Sequence, residues 1–397
     1  MHEFKKACKM QAGMGITDGI IQGKISCFRN KFHKHKEKCS EKRKFLGALC
    51  LRSEYLLKNT IFYLGIIIVI CTLVLTLKPY LNLYENVREE NSKIVYGDEG
   101  IINGYIPTEA NEQREQAFNR IYESLIEDFD VSEEEATDAL NKIKKMHTQE
   151  EIAEYLHENY GISERGVDNV FESYMEKHAT KKEMKEYLRE TFSKSTFPES
   201  FSFKYIDYLG IGLIYLSIIT FVLIFMRDMK KDIFSLLHTK PISGVSYIMT
   251  KLLAGLIPIC VFALIMTGIF DGIANMVAPQ YGSEMEWVSI WVKLVLFILP
   301  NIFMIGVFFI FITVIFKSIL PTIPMLLVYA TYSNMGRITE VGYKYIPNPL
   351  SIVVRFPNDL GNNYIPTWTI INQSILIILA ICLLGISIKL WKRRRII

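Results

Sequence analysis

The apolar run TIFYLGIIIVICTLVLTL, from Thr60 to Leu77, decides the class of fold to which this chain belongs. None of its residues is charged, and about 20 apolar residues in a helix are enough to span the hydrocarbon core of a bilayer. The run lies too far from the N-terminus and is too long to be the core of a cleaved signal peptide. We therefore predict a membrane-spanning helix.

Further apolar stretches of spanning length follow along the chain, at 206–226, 248–270, 288–316, 319–336 and 369–390. The weakest is 319–336, because Pro321 and Pro324 interrupt a short run. Half of the 397 residues are hydrophobic and the mean hydropathy is +0.21, as expected for membrane segments combined with a polar part. Six crossings would place both termini on one side of the membrane.

Charge is distributed unevenly and predicts the orientation. From Met1 to Lys58 there are 14 Lys or Arg against 5 Asp or Glu, whereas from Lys78 to Lys204 there are 16 against 28. Short basic segments resist translocation, while long domains cross largely regardless of charge. The short segments on the N-terminal side are basic, so we expect both termini to be cytoplasmic and the acidic 78–204 stretch to be external.

The sequence thus predicts an all-α polytopic membrane protein with six transmembrane helices, cytoplasmic termini and an inserted external helical domain. The predicted parts are a basic cytoplasmic N-terminal extension (1–44), an amphipathic interfacial helix (45–58), the first crossing (59–78), the external helical domain (79–205), the second crossing (206–226), a cytoplasmic segment (227–247), the third to fifth crossings (248–270, 288–316, 319–336), an external loop (337–368), the sixth crossing (369–390) and a basic cytoplasmic tail (391–397).

The external domain is rich in signals for helix starts. A hydroxyl residue followed three positions later by Glu has the spacing of a capping box, and this occurs at Ser132, Thr148 and Thr180. We therefore expect a bundle of four or five helices. Its acidity could attract cationic peptides, but Glu and Lys also serve simply to solvate helical bundles.

Residues that would carry catalysis or ion coupling are not grouped in any recognisable motif. Asp207, Asp271 and Lys293 lie near predicted helix ends, so we interpret them as interfacial charges that reach toward the headgroups. We therefore expect neither an enzyme nor a proton- or sodium-coupled carrier.

A cytoplasmic cluster raises the question of zinc. It consists of Cys27, His33, His35 and Cys39, which are ligand types for zinc at a spacing that matches no established motif. The alternative, which we favour, is a solvated basic segment near anionic headgroups, so no metal site is predicted.

The segment RDMKKDIFSLLHTKPISGVSYIMTK, residues 227–251, connects the second and third crossings. Pro241 fixes its own φ and biases Lys240 away from helix, so a short amphipathic helix must end there. Ser243 can then cap the next helix, and Gly244 permits close approach of the backbone. The pattern predicts a short helix parallel to the cytoplasmic face and rigidly joined to two crossings.

This segment resembles the coupling segment of the permease subunits of type-2 ABC exporters. The similar positions are a leucine pair, a small polar residue, Pro, an apolar residue, Ser and a later Lys, here Leu236, Leu237, Thr239, Pro241, Ile242, Ser243 and Lys251. The interfacial helix before the first crossing, the segment IPNPLSIVVRF (346–356) and the basic C-terminal end are also similar. The large external domain and the basic N-terminal extension depart from compact members of the family.

The resemblance implies a transport subunit for a peptide, antibiotic or other amphipathic compound, in the bacterial cytoplasmic membrane. The chain has no Walker motif, so ATP and Mg would bind a separate ATP-binding subunit, and a second or related permease would complete the unit. Nucleic acid is not an expected partner; the lipid bilayer is. The 337–368 loop would supply re-entrant helices toward the outer gate. The coupling contacts would be Ile233, Leu236, Leu237, Lys240, Pro241, Ile242, Ser243 and Gly244.

Polar and aromatic positions of the second and fifth crossings are candidates for the substrate path. They are Tyr215, Ser217, Thr220, Tyr329, Thr331, Tyr332, Ser333 and Asn334. For each of them the alternative is ordinary helix packing by small or hydroxylated side chains.

A different class of function fits the same layout. The chain could be a membrane-anchored sensor or scaffold whose external helical domain is a receptor and whose basic cytoplasmic segments bind a partner. Recovery of an ATP-binding subunit with the protein would separate the two functions.

Overall fold

Helices make up most of the chain. The structure, a computed structural model, describes residues 45–226, 228, 243–338, 345–357, 360–361 and 363–393. Its elements in chain order are α1 (45–57), α2 (Thr60–Leu81), β1 (Tyr96–Gly97), β2 (Tyr105–Pro107), α3 (Ala110–Glu127), α4 (Glu133–Ile143), α5 (Gln149–Tyr160), α6 (Glu164–Ser173), β3 (Glu176–His178), α7 (Lys181–Lys194), α8 (Phe197–Met226), α9 (Gly244–Val277), α10 (Ser289–Phe316), α11 (Thr322–Asn334), β4 (Arg337–Ile338), β5 (Tyr345–Ile346) and α12 (Thr367–Arg393).

Five helices of the described chain are long and apolar enough to cross a bilayer. They are α2, α8, α9 with a 3₁₀ extension to Tyr281, α10 and α12. The shortest has 22 residues, which at about 1.5 Å per residue covers a hydrocarbon core of roughly 30 Å. The chain is therefore an all-α polytopic membrane protein, as the apolar runs predicted.

The helix α8 is the centre of the bundle and packs against α2, α9 and α10. Glycines make these contacts close: Gly212 of α8 lies against Val69 of α2, and the ring of Phe221 fits between Gly255 of α9 and Gly306 of α10. A Cβ added at either of the last two glycines would lie 2.6 Å from that ring. Small residues therefore set the helix spacing, as is usual within membranes.

The bundle has two sides, which differ in what they carry. The segment between α2 and α8 projects from one, called here the domain side; α8 ends and α9 begins on the other, called the junction side. Near the end of α12, Trp391 stacks on Tyr247 near the start of α9 at 3.9 Å between ring centroids. The helix α12 therefore runs toward the junction side, as α8 does.

The helix α10 also runs toward the junction side, since Gly210 of α8 lies against Ile298 whereas Phe225, later in α8, packs on Phe309. The chain between α10 and α12 must therefore return to the domain side. It does so through α11, which begins where Thr322 and Thr313 share a hydrogen bond of 3.1 Å. With 13 residues, α11 is about 20 Å long and shorter than the predicted 319–336 crossing.

The segment between α2 and α8 has a base that packs on the bundle. The base consists of a three-stranded antiparallel sheet in the order β1-β3-β2, together with α7. The apolar face of α7, with Met184, Leu188 and Phe192, joins the hydrophobic core of the membrane helices. Tyr281, at the end of the 3₁₀ extension of α9, binds the end of α2, because its hydroxyl donates to Leu81 O at 2.9 Å.

The helices α3–α6 form a distal module with a hydrophobic core of its own. The core is separate from that of the bundle and includes Phe118, Leu125, Ile143 and Leu156, all nearly inaccessible to solvent. With α7, the segment contains five helices, within the predicted four to five. The small sheet was not predicted, since strands of two or three residues are too short to show an alternating pattern.

Helix starts in this segment follow the predicted caps. At Thr148 and Thr180 both halves of the capping box are present. At Ser132 only the hydroxyl bond to Glu135 N forms, at 3.4 Å. The sequence signal is therefore confirmed in full at two of the three positions.

Candidate functional site where α8 and α9 meet

The predicted coupling segment connects α8 to α9. Six of its eight predicted contact residues lie outside the described part of the chain: Ile233, Leu236, Leu237, Lys240, Pro241 and Ile242. Ser243 and Gly244 are described, as is Asp228 at the other end. Both ends of the segment therefore lie within the described chain.

The start of α9 is built as the sequence indicated. The Ser243 hydroxyl accepts a hydrogen bond from Ser246 N at 3.1 Å and so caps the helix. Gly244 faces the end of α12, where an added Cβ would lie 3.0 Å from Trp391 Cδ1 and 3.3 Å from Lys392 Cγ. A side chain at position 244 would push α9 away from α12.

A buried ion pair joins the end of α8 to the start of α9. Lys251 Nζ lies 2.7 Å from Asp228 Oδ2, and only 2 % of the lysine side chain is exposed. Lys251 also donates to Ile224 O, and the Tyr247 hydroxyl donates to Asp228 Oδ2 at 3.1 Å. Breaking such a pair leaves an uncompensated buried charge, so the two helix ends are held firmly together.

Two further helices attach to the same point. From α1, Arg52 donates to Tyr247 O at 3.3 Å and to the Thr250 hydroxyl, and its guanidinium lies 5.2 Å from the Tyr247 ring centroid. From α12, Trp391 stacks on the Tyr247 ring. We call the set Arg52, Asp228, Tyr247, Lys251 and Trp391 the junction. It joins α1, α8, α9 and α12.

The junction connects the two ends of the 229–242 segment to the membrane helices. The described residues at both ends belong to one network, so a force applied to the segment would act on α1, α8, α9 and α12 together. The coupling pattern in the sequence includes Lys251 but not Arg52, Asp228, Tyr247 or Trp391. Their signal was weak, because each is a single residue on a separate element and only the fold brings them together.

The predicted path residues do not form one surface. Ser217 and Thr220 are fully buried and donate to Leu213 O and Leu216 O of their own helix. Such back-bonding is the packing alternative considered for them. Tyr215 is 51 % exposed on the outside of α8, and Thr331 is exposed and donates to Leu327 O.

The remaining four path candidates, all on α11, contact the segment that follows β5. Tyr329 and Tyr332 donate to Leu350 O at 2.6 Å and Pro349 O at 3.1 Å. The other two, Ser333 and Asn334, bind residues 351, 352 and 355 of the same segment. Their polar groups are therefore already engaged within the chain.

The interpretation of three charged residues as interfacial was wrong. Asp207, Asp271 and Lys293 are 3 %, 4 % and 6 % exposed and lie inside the protein. Asp271 accepts hydrogen bonds from Trp291 Nε1 and Asn275 Nδ2, whereas Lys293 lies 4.0 Å from the Phe203 ring centroid. Sequence could not show this, because several of the partners lie on other helices.

The cluster considered for zinc, Cys27, His33, His35 and Cys39, lies outside the described residues. Within the described ranges, no group of three or more His, Cys, Asp or Glu side chains is placed to hold a metal ion.

No protein-family model matches the chain, and comparison with curated proteins and with solved structures gives no match either.

Proposed function

We propose that the chain is the membrane-spanning permease subunit of an ATP-driven exporter of the type-2 ABC class. The observation that carries this proposal is the junction, which connects both ends of the short 229–242 segment to four helices. A chain that receives mechanical work from a separate ATPase needs a rigid attachment between the contacted segment and its membrane helices. The residue pattern of 236–251 adds the resemblance to the coupling segments of that class.

The topology that we propose has six crossings and cytoplasmic termini. The parallel course of α10 and α12 supports it, because the chain must cross back to the domain side between them. With this return through α11, the chain makes an even number of crossings, and both termini lie on the same side. Basic residues on the junction side favour the cytoplasm for that side. The base and the distal module would then lie outside the cell, attached to a bacterial cytoplasmic membrane.

The mechanism follows from this arrangement. Closure of two ATP-binding subunits would push the 229–242 segment, and the junction would pass the displacement to α8 and α9 as one rigid unit. The path would run between two permeases, identical or related, and would open toward the domain side. ATP and Mg would remain on the partner subunits. The cargo would be a peptide, an antibiotic or another amphipathic compound.

Affinity purification in mild detergent tests the proposal. An ATP-binding subunit should co-purify with the chain, and the bound fraction should hydrolyse ATP. Lys240→Glu combined with Pro241→Ala should reduce the ATPase activity recovered per permease, because it alters the proposed contact surface. The amount of permease in the membrane should not change.

The junction itself supplies a second set of variants. Lys251→Met should lower the recovered ATPase activity and destabilise the chain by about 3–5 kcal/mol, since Asp228 stays buried without its partner. The matched control is Lys58→Gln, which breaks an exposed pair with Glu54 and should change stability by less than about 1 kcal/mol. If no ATP-binding protein is recovered with a folded parent chain, the exporter proposal fails.

A sensor or scaffold is the second candidate, and the distal module favours it. This module has its own core and carries 6 Lys or Arg against 17 Asp or Glu in residues 110–173, a net charge of −11. Nearly all the net charge of −12 of residues 78–204 is therefore concentrated there. Purification of the chain with a cytoplasmic signalling partner and without an ATPase would support this function.

A further inference from the structure

The junction holds more positive than negative charge among its described residues. Arg52 and Lys251 both enter it, whereas the carboxylate of Asp228 already lies 2.7 Å from Lys251 Nζ. The hydrogen bonds of Arg52 go to two neutral acceptors, Tyr247 O and the Thr250 hydroxyl, and it forms no ion pair within the described chain. A partly buried cation without a counter-ion is costly. We therefore expect a further negative group beside Arg52.

Arg52 keeps hydrogen-bond donors for such a group. Both of its hydrogen bonds leave from Nη1, so Nη2 and Nε have no acceptor in the described chain. These two nitrogens lie side by side in the planar guanidinium and match two oxygens of a phosphate or carboxylate. The side chain is only partly buried, so a ligand can reach it from outside the bundle. The free edge of Arg52 therefore suits an anion with two oxygen acceptors.

The helix that carries Arg52 also presents apolar side chains to its surroundings. The exposed apolar residues of α1 are Leu46, Leu51, Tyr55 and Leu57. An amphipathic helix of this kind lies in the plane of the membrane interface, with its apolar residues at the boundary between headgroups and acyl chains. Because α1 leads directly into the spanning helix α2, the chain itself places α1 at this boundary. An anion bound to Arg52 would therefore lie at the depth of the lipid headgroups.

The last turns of α12 add positive charge near the same place. Lys389, Lys392 and Arg393 are exposed, and none of them forms an ion pair within the described chain. Lys392 lies beside the start of α9, since a Cβ added at Gly244 would be 3.3 Å from Lys392 Cγ. Its neighbour Trp391 belongs to the junction. Cations of α1 and of α12 therefore lie around the start of α9.

Acidic residues of the same region are already paired. Glu54 of α1 lies 2.6 Å from Lys58, and Asp228 is taken by Lys251. Among the described residues of α1 with Lys58, the junction and the last turns of α12, six cations stand against these two carboxylates, a net charge of +4. Clusters of Lys and Arg at headgroup depth attract anionic lipids. The charge is therefore complementary to an anionic lipid surface.

We propose that an anionic phospholipid of the junction-side leaflet binds between α1 and the last turns of α12, with its phosphate on Arg52 and its acyl chains against the apolar side chains of α1. The lipid supplies the counter-ion that Arg52 lacks within the described chain. A zwitterionic lipid binds less well, because the cations of α12 repel its own cationic group. The bound lipid holds α1 against the junction, so the rigidity of the junction depends on the composition of the membrane. This site does not require the chain to be an exporter.

Native mass spectrometry of the full chain tests the lipid site. The protein is reconstituted in nanodiscs of phosphatidylcholine with phosphatidylglycerol and released into mild detergent, and the lipids that stay bound are identified by mass. The parent chain should retain phosphatidylglycerol in preference to phosphatidylcholine. Arg52→Gln should lower the retained phosphatidylglycerol about 10-fold, as expected when hydrogen bonds to a charged group are lost.

Exposed positions cover the case in which Arg52→Gln fails to fold. Lys392→Gln combined with Arg393→Gln should also lower the retained phosphatidylglycerol, and neither side chain is buried. The matched control is Lys144→Gln combined with Lys145→Gln, which removes two adjacent exposed cations from the distal module and should change nothing.

The acyl chains have a matched pair of their own. Leu51→Ser should weaken retention, because Leu51 is 69 % exposed on α1 and would contact the lipid. Leu75→Ser, 74 % exposed on α2, should not.

Thermal unfolding separates a bound lipid from a free phosphate and from a purely structural role of Arg52. Adding phosphatidylglycerol should raise the Tm of the parent chain but not that of Arg52→Gln, whereas inorganic phosphate should raise neither. A structural role alone would lower the Tm of Arg52→Gln by the same amount with either lipid, which would overturn the proposal. Stabilisation of the parent chain by inorganic phosphate would overturn it as well.

Lys317→Gln tests for general attraction of headgroups to the junction side. Lys317 is an exposed cation at the end of α10 and is not part of the proposed site. Retention of phosphatidylglycerol by this variant should equal that of the parent chain. An equal loss in Lys317→Gln and Arg52→Gln, or equal retention of both lipids by the parent chain, would overturn the proposal. None of these readouts needs an ATPase, so they leave the exporter proposal untouched.

Discussion

Several charged residues of this protein form ion pairs that connect separate elements of the fold. Asp207 and Lys251 are buried, and the side chain of Asp228 is only 16 % exposed. Each of the three has an opposite charge within 2.7 Å and so connects two elements. Sequence spacing identified Lys251 through the coupling pattern but misplaced Asp207. The reason is physical: the partner of Asp207 is Arg355, 148 positions later, and no local pattern encodes such a pair.

Glu183 makes a prediction about pH at the same scale. Burial alone would raise the pKa of Glu183, but hydrogen bonds from the Thr180 amide and hydroxyl, with the charge of Arg88, together hold this pKa below the ordinary value of a glutamate. A lowered folded pKa means that the carboxylate contributes stability above the unfolded pKa. This contribution is lost as the pH falls through the folded value.

The expected result concerns the variant Glu183→Gln. Its Tm should lie below that of the parent chain at pH 7, by an amount equivalent to about 1 kcal/mol for a lost capping contact. The difference should shrink once the pH falls below the usual glutamate pKa of about 4.3. Glu186→Gln, an exposed position on the same helix, is the control and should show no such trend. A difference that grows on acidification would contradict the assignment.

At the scale of elements, the apolar runs predicted the long helices well, because about 20 apolar residues have few alternatives to a membrane helix. Their limits were less predictable. The helix α8 begins at Phe197, nine residues before the predicted start. The prediction missed these residues because Glu199 and Lys204 interrupt the apolar pattern, although most of this stretch is buried in the protein. The prolines of 319–336 marked the one stretch whose helix is too short to span alone.

Packing between elements gives a sharper prediction than helix limits do. Gly306→Ala should destabilise the chain by about 1–3 kcal/mol, because the added methyl group meets the Phe221 ring at 2.6 Å in a filled core. The measurement is thermal unfolding of the purified protein in detergent. Gly272→Ala on α9 is the matched control, since a Cβ there meets nothing within 4 Å.

Replacing Phe221 by a smaller side chain should relieve its clash with an alanine at position 306. Phe221→Leu combined with Gly306→Ala should be less destabilised than the sum of the two single changes, as expected for residues in direct contact. Additive losses would mean that α8 and α10 are not spaced by this contact.

At the scale of the whole molecule, the chain separates into a bundle with its base and an inserted distal module. The sequence predicted an external helical domain but not its division, because both hydrophobic cores use the same helical spacing. The two ends of the distal module lie close together, which explains why the module is separate from the base. Thr108 N donates to Met175 O at 2.9 Å, so the chain leaves and re-enters the base at adjacent points.

This geometry predicts that the module can be removed. Replacing residues 110–173 by a short Gly-Ser linker should leave the bundle folded, because adjacent ends need little chain to join them and the two cores are separate. Residues 108–175 expressed alone should in turn give a helical domain, with marginal stability expected at this small size. Circular dichroism of the fragment and thermal unfolding of the shortened chain are the measurements. The module is distinct from the junction, so the shortened chain should retain its ATPase partner if the exporter proposal holds. Loss of that partner from a folded shortened chain would instead assign the module to assembly.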